Sequence, residues 1–314
     1  MAKHYKAMKQ PLLYYCSIFI VLFCCSNAIA QDGGSVRFDT YSNLELNGYT
    51  KQNTLILSSG QDNVALLDKA ILDSVDNIVI RGVCIDNTLL SGISKFDVSN
   101  AQLYDARGNV DSFFSVFLSM SKARALKIYN TDVDWNFPKH DWSSIKRLEI
   151  SNCNILSLSE ILKQMSGIRY FSVTDSRVSS VSFDTILASL VYLDLSACGL
   201  SNIPSCISNC PNLECFRYYG NHFTKTDCSV LKNIISLREI YLGDCGITEF
   251  PIELTELPHL HILVLDGNHI ENVPDTITGF KELKYLGLGR TSYLLNKNTI
   301  DGLDAPFHIG KFPD

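Results

Sequence analysis

Apolar and polar positions alternate in one short phrase that returns along the chain. It reads Leu190-x-x-Leu193-x-Leu195-x-x-Cys198-x-Leu200-x-x-Ile203-Pro204, then Leu237-x-x-Ile240-x-Leu242-x-x-Cys245-x-Ile247-x-x-Phe250-Pro251, then Leu260-x-x-Leu263-x-Leu265-x-x-Asn268-x-Ile270-x-x-Val273-Pro274. Two apolar residues flanking one other position are the period-two mark of a short strand with one face buried. The first of the two recurs as Leu55, Ile78, Phe96, Leu126, Leu148, Phe171, Leu193, Phe216, Ile240, Leu263 and Leu286. From Leu148 the successive steps are 23, 22, 23, 24, 23 and 23, whereas the earlier ones are 23, 18, 30 and 22. The pattern therefore predicts regular units in the second half, degenerate ones in the first, and a break near Arg107 to Asp111. Units this small cannot bury an apolar face alone, so neighbours must stack and share one elongated core.

Between strands the period changes. After Pro204, Pro251 and Pro274, apolar residues recur every third position, as in Ile277-x-x-Phe280-x-x-Leu283, which suits a 3₁₀ or short helical turn. Asp111 to Ala125, with Phe113, Phe114, Phe117 and Met120, predicts a helix, and Ser159-Glu160 before Ile161-Leu162-x-x-Met165 predicts a capped one. The repeated phrase resembles the leucine-rich-repeat family, with its LxxLxLxxNxL signature. That resemblance implies an α/β solenoid: a curved horseshoe with a parallel sheet on its concave face and short helices or 3₁₀ turns on its convex face. About eleven repeats are expected over residues 55–303, behind a capping strand or hairpin at 31–54. Phe307-x-Ile309-x-x-Phe312 within 304–314 is expected to add an edge strand or tail.

The first thirty residues read differently. Lys3, Lys6 and Lys9, an apolar run from Leu12 to Cys25, and Ala28-Ile29-Ala30 have the order of a secretory signal peptide cut after Ala30. The run is shorter than the roughly 20 residues of a membrane span. Acylation at Cys24 or Cys25 is the disfavoured alternative, because Phe23 or Cys24 occupies the position where lipoprotein signals carry a small residue. The expected destination is secretion or the cell envelope, periplasmic or surface. Without the three lysines, 24 basic residues face 33 acidic ones, a formal charge of −9. Nucleic acid and anionic membrane are poor partners for such a chain. No Asn-x-Ser/Thr sequon occurs, which favours a bacterial envelope or exported protein over a glycosylated ectodomain.

In the leucine-rich-repeat family, the residue five places after the first strand leucine points inward and satisfies buried backbone groups. Here that column reads Val83, Ala101, Thr131, Cys153, Ser176, Cys198, Asn221, Cys245, Asn268 and Thr291. Cys153, Cys198 and Cys245 fall on alternate rungs, about 9.5 Å apart, too far for disulfides, and are expected as buried thiols. Cys206, Cys210, Cys215 and Cys228 form the other cluster. Cys206 and Cys228 hold stacked positions on adjacent repeats and are the candidate disulfide, since an oxidising destination permits one. A zinc site is disfavoured because Cys215, on a strand, should face away from the other three. No metal or cofactor is expected.

Residues before, between and after the two strand leucines should form columns on the concave face. Between them run Val79, Asp97, Lys127, Glu149, Ser172, Asp194, Arg217, Tyr241, Val264 and Gly287. Before them come Asn77, Lys95, Ala125, Arg147, Tyr170, Tyr192, Cys215, Glu239, Ile262 and Tyr285, and after them Arg81, Tyr129, Ser151, Thr174, Ser196, Tyr219 and Asp266. Tyr170, Tyr192, Arg217, Tyr219, Tyr241 and Asp266 are the candidate binding residues, with Tyr192, Arg217, Tyr219 and Tyr241 expected on one exposed patch. Tyrosine and arginine join large contact area to a directed hydrogen bond. The competing reading is that Lys127 pairs with Glu149 and Asp194 with Arg217 across neighbouring strands. No nucleophile motif, Walker-type loop, HExxH or paired CxxC is present. The expected function is an exported module that binds a protein or peptide through its concave face. The alternatives are a structural surface protein without a ligand and a scaffold with an unrecognised hydrolase activity.

Overall fold

The computed structural model describes residues 53–70, 75–133, 140–155, 157–224 and 227–289, and the backbone of 308–310. The expected signal peptide, and the expected cap apart from Asn53 and Thr54, lie outside the described residues. Leu46–Phe312 group into one compact unit. Within it twelve strands pair in parallel, in chain order. They are β1 Thr54–Ser58, β2 Asn77–Arg81, β3 Asn100–Tyr104, β4 Ala125–Tyr129, β5 Arg147–Ser151, β6 Tyr170–Thr174, β7 Tyr192–Asp194, β8 Cys215–Arg217, β9 Glu239–Tyr241, β10 Ile262–Val264, β11 Tyr285–Gly287 and β12 His308–Gly310. Strands β1 to β11 bury their leucine-type positions: Leu55, Leu148, Phe171, Phe216, Ile240, Leu263 and Leu286 are fully buried in one continuous core.

The opposite side of that core is built from helices α1 Asn63–Lys69, α2 Asn87–Ile93, α3 Val110–Leu118 and α4 Ser159–Gln164, followed by 3₁₀ turns. Ser205–Asn209, Ile252–Glu256 and Asp275–Gly279 each begin on the residue after Pro204, Pro251 or Pro274. Proline suits that place because its fixed φ and missing N–H cost nothing just before the first turn. Helix α3 fills the widest repeat with Phe113, Phe114 and Phe117, and the Phe114 ring meets the fully buried Trp142 edge-on at 5.6 Å. It ends at Leu118, short of the expected Ala125. Ser159 is not a cap: it opens α4, and its N–H donates to the Ser157 hydroxyl at 3.2 Å.

The strand expected at Phe96 is displaced. Ile78 pairs with Ala101 and Ala101 with Leu126, so Ala101 holds the first core position of β3. The steps there are 23 and 25, and the period does not break near Arg107. Phe96 follows α2 as a buried turn residue, its N–H on the Ile93 carbonyl at 3.0 Å. Lys95 instead pairs with Asp68, and Asp97 accepts from the Ser121 hydroxyl and the Lys122 N–H. Asn100, Gln102 and Tyr104 replace them in the register, and Ala106 replaces Ala101 as the inward residue after the strand. At the far end Ile309, not Phe307, pairs with Leu286.

The position four residues after the first core residue of a strand has a left-handed backbone in nine successive strands. Gly82, Asp105, Asn130, Asn152, Asp175, Ala197, Gly220, Asp244 and Gly267 have φ between +44° and +73°. Glycine, asparagine and aspartate are the types that tolerate this conformation, and Ala197 is the exception.

Candidate functional site: a stacked row of tyrosine and arginine

Parallel pairing in exact register would place like positions side by side; here it does so on the face away from the core. Five strands contribute one row. The Arg147 guanidinium lies 3.7 Å from the centre of the Tyr170 ring. Tyr170 stacks on Tyr192 with centroids 4.0 Å apart and planes within 6°. Arg217 follows, 5.8 Å from the Tyr192 ring and 4.4 Å from that of Tyr241. Ring stacking and cation–π attraction both favour such contacts. A shorter row joins Arg81, Tyr104 and Tyr129, with 5.5 Å from guanidinium to ring and 6.0 Å between rings. Tyr104 entered with the corrected register.

These contacts bury what the strand pattern marks as exposed. Tyr192, Arg217 and Tyr241 are only 8%, 5% and 4% exposed, so the expected exposed patch is instead a close-packed one. Tyr170, Tyr219 and Asp266 are half-buried. The hydroxyls turn to nearby acceptors: Tyr192 donates to Asp194 Oδ2 at 3.3 Å and Tyr241 to Glu239 Oε2 at 3.0 Å. Tyr219 lies beside this row and donates to Asp244. Gly243 leaves room for the Tyr219 ring, and Gly287 for the Asp266 carboxylate, which a Cβ would strike.

Charge divides unevenly along the row. Glu149 takes Arg147 at 2.5 Å and Lys127 at 3.4 Å. Burial pushes the Glu149 pKa up, but Arg147 and Lys127 outweigh it and hold the carboxyl below its ordinary value. Asp194 and Arg217 are direct neighbours on β7 and β8, yet no hydrogen bond joins them among the described residues. Asp194 accepts from the Ser196 N–H at 3.0 Å and from Tyr192. Burial raises its pKa against the pull of Arg217. Burial, with Asp194 and Tyr170 adding to it, also lifts the Tyr192 pKa well above its ordinary value.

Past the strands, the inward column is a second continuous structure. Asn221 accepts from the N–H groups of Cys198 and Leu200 at 3.1 and 3.0 Å, and donates to the carbonyls of Leu195 and Tyr218 at 2.8 and 2.9 Å. Asn268 repeats this toward Cys245, Ile247, Leu242 and Leu265. Ser176 takes the Cys153 N–H at 3.1 Å, and Thr131 that of Ala106 at 3.3 Å. The thiols of Cys153, Cys198 and Cys245 donate to backbone carbonyls, at 3.1 to 3.5 Å. Oxygen-bearing and thiol or methyl side chains thus alternate from Ala106 to Asn268. Burial pushes the Cys198 and Cys245 pKa values up to about 12, which keeps both as thiols and poor nucleophiles.

The expected Cys206–Cys228 disulfide is not formed, and both residues are free thiols. Cys206 donates to the Val181 carbonyl at 3.6 Å, while Cys228 is fully buried in the core. Stacked sequence positions did not convey that the two side chains have different surroundings. Among the described residues, no group of three or more His, Cys, Asp or Glu side chains could hold a metal ion. Nor is any helix among them long and apolar enough to cross a membrane.

A family model described as Leucine Rich Repeat matches residues 189–210. No curated protein matches the chain. Solved structures do. A leucine-rich-repeat protein of Leptospira interrogans is 15% identical with a TM-score of 0.54, over 77% of this chain and 73% of that one. The TLR13–ssRNA13 complex is 17% identical at a TM-score of 0.61, over 77% of this chain and 36% of that one. The Toll–Spatzle complex of Drosophila is 11% identical at a TM-score of 0.54, over 84% and 43%. This chain thus spans less than half the length of the last two. The repeated phrase, the parallel strands and the matched repeat agree, and the chain has the leucine-rich-repeat fold.

Proposed function

We propose that this chain is an exported module that docks a protein or peptide on the concave face of its sheet. The row from Arg147 to Tyr241 carries the reading. Outside a core, the stacked rings and guanidinium groups hold one another's rotamers and leave half-buried Tyr170, with Tyr219 beside the row, as pre-ordered contact groups, and ordering such groups is a principal cost of binding. Tyrosine and arginine are also the types enriched at interface anchors. Export rests on the order of basic, apolar and small residues at the N-terminus. Within this fold class the Toll complex contains a protein, Spatzle, and the TLR13 complex a single-stranded RNA. A net charge of −6 favours the protein for this chain, since RNA backbones call for a basic footprint.

The test is affinity capture from envelope and host extracts with the chain lacking residues 1–30, followed by measured binding of each purified candidate. Tyr170→Ala and Tyr219→Ala should weaken binding at least ten-fold while Ile235→Ser, far from the row in the register and exposed, leaves it unchanged. Binding that follows Ile235 and ignores the tyrosines would move the site off the sheet.

A further inference from the structure

Arg217 is the least satisfied charged group of the row. It is 5% exposed, and its Nε and Nη2 are buried without a hydrogen-bond acceptor. The acceptors nearest in the register are engaged elsewhere. On β7, Asp194 holds the Ser196 N–H and the Tyr192 hydroxyl; on β9, Glu239 Oε2 receives the Tyr241 hydroxyl and the Cys215 thiol. The row's other cation, Arg147, is bound to Glu149, and so is neighbouring Lys127.

We propose that Arg217 receives a carboxylate of an acidic peptide, taken up between Tyr192 and Tyr241; this rests on the docking reading above and names its ligand chemistry. A guanidinium presents its N–H groups as a planar fork that matches a carboxylate in two parallel hydrogen bonds. Unsatisfied buried donors at a charged group are costly, so an acceptor that reaches them is gained at full value. Flanking rings exclude water and strengthen that attraction. Asp194, opposite Arg217 on β7, already offsets part of its charge, which favours a singly charged carboxylate over a phosphate dianion. Because Nε and Nη2 are buried, entry requires the Tyr241 ring to swing away, and its hydrogen bond to Glu239 is the latch.

The experiment is fluorescence anisotropy of labelled hexaglutamate, with hexaglutamine as control, on the full chain and its variants at low salt. Hexaglutamate should bind saturably and hexaglutamine should not. Arg217→Gln should weaken binding at least ten-fold. Arg217→Lys, which keeps the charge and loses the fork, should weaken it at least five-fold and serves as the readout if the glutamine variant does not fold. Tyr241→Phe, which releases the latch and keeps the ring, should tighten binding about two-fold. The proposal is overturned if hexaglutamate fails to bind, if hexaglutamine binds equally, or if Arg217→Lys binds as the parent does. Tyr241→Phe leaving the affinity unchanged overturns the latch. A purified protein partner that binds Arg217→Lys as tightly as the parent sinks the carboxylate site and leaves the docking reading standing.

Discussion

At the scale of single residues, alternation told which side chains leave the core but not what they do afterwards. Tyr192 and Tyr241 face away from Leu193 and Ile240, as alternation requires, and are then buried by their lateral neighbours. A solvent-exposed tyrosine changes stability by no more than about 0.5 kcal/mol on truncation. Tyr241→Ala is instead expected to cost about 3 kcal/mol, near the range for large buried aromatics. Half-buried Tyr219→Ala should cost clearly less; urea melts of the two variants make the comparison. Ala197 supports a second expectation. Its φ of +52° is unfavourable for a residue with a Cβ, whereas Gly220 occupies the same place in the next repeat at +68°. Ala197→Gly should therefore stabilise by about 1 kcal/mol, read as a raised denaturation midpoint. A lower midpoint would mean that the gain in unfolded-chain entropy outweighs the relieved strain.

Elements were legible where spacing was regular and side chains were large. The 3₁₀ turns after Pro204, Pro251 and Pro274, and every strand from β4 to β11, follow from the period. At β3 the core residue is Ala101, too small to stand out, and Phe96-x-Val98 nearby imitates the strand phrase. A step of 23 from Ile78, and Asn100 repeating Asn77, were the available signals; the Asn100 amide donates to Asn77 Oδ1 at 2.6 Å. Pairing across β4 and β5 sets a pH expectation. Glu149 has a folded pKa below its ordinary 4.5, because Arg147 and Lys127 hold it ionised. Between those two values the unfolded chain binds more protons, so stability rises with pH there. The contribution is complete above about 4.5 and disappears as pH falls through the folded value. Glu149→Gln should flatten the stability curve below pH 4.5, measured by urea midpoints at successive pH values. An unchanged acid slope would assign it to other carboxylates.

For the whole molecule, the corrected register removes the expected seam. Arg107 donates its N–H to the Val83 carbonyl at 3.1 Å, and Arg107–Gly108 pair with Cys84–Ile85 on the helical side. Backbone tied down in this way resists nicking. Limited proteolysis should not separate two stable fragments between Arg107 and Asp111; such a pair would restore the two-part reading. Stacked repeats contact only their neighbours, so the sheet carries the stacked row and the inward column as two separate lines. From β4 onward, which residues line each was legible from spacing, while the stacking within the row depended on side-chain packing that spacing does not encode.

The alternation along the inward column gives the solenoid a parity. Every oxygen-bearing rung serves the N–H of the thiol or methyl rung before it, so repeats are matched in twos. Excising one repeat, from Gly199 through Cys198's partner Asn221, would set Cys198 against Cys245 and strand the Cys198 N–H, at about 1–3 kcal/mol for each buried donor so orphaned. Excising two would leave the sequence of rungs in phase. Shortening or lengthening this protein should therefore be tolerated in even steps and resisted in odd ones.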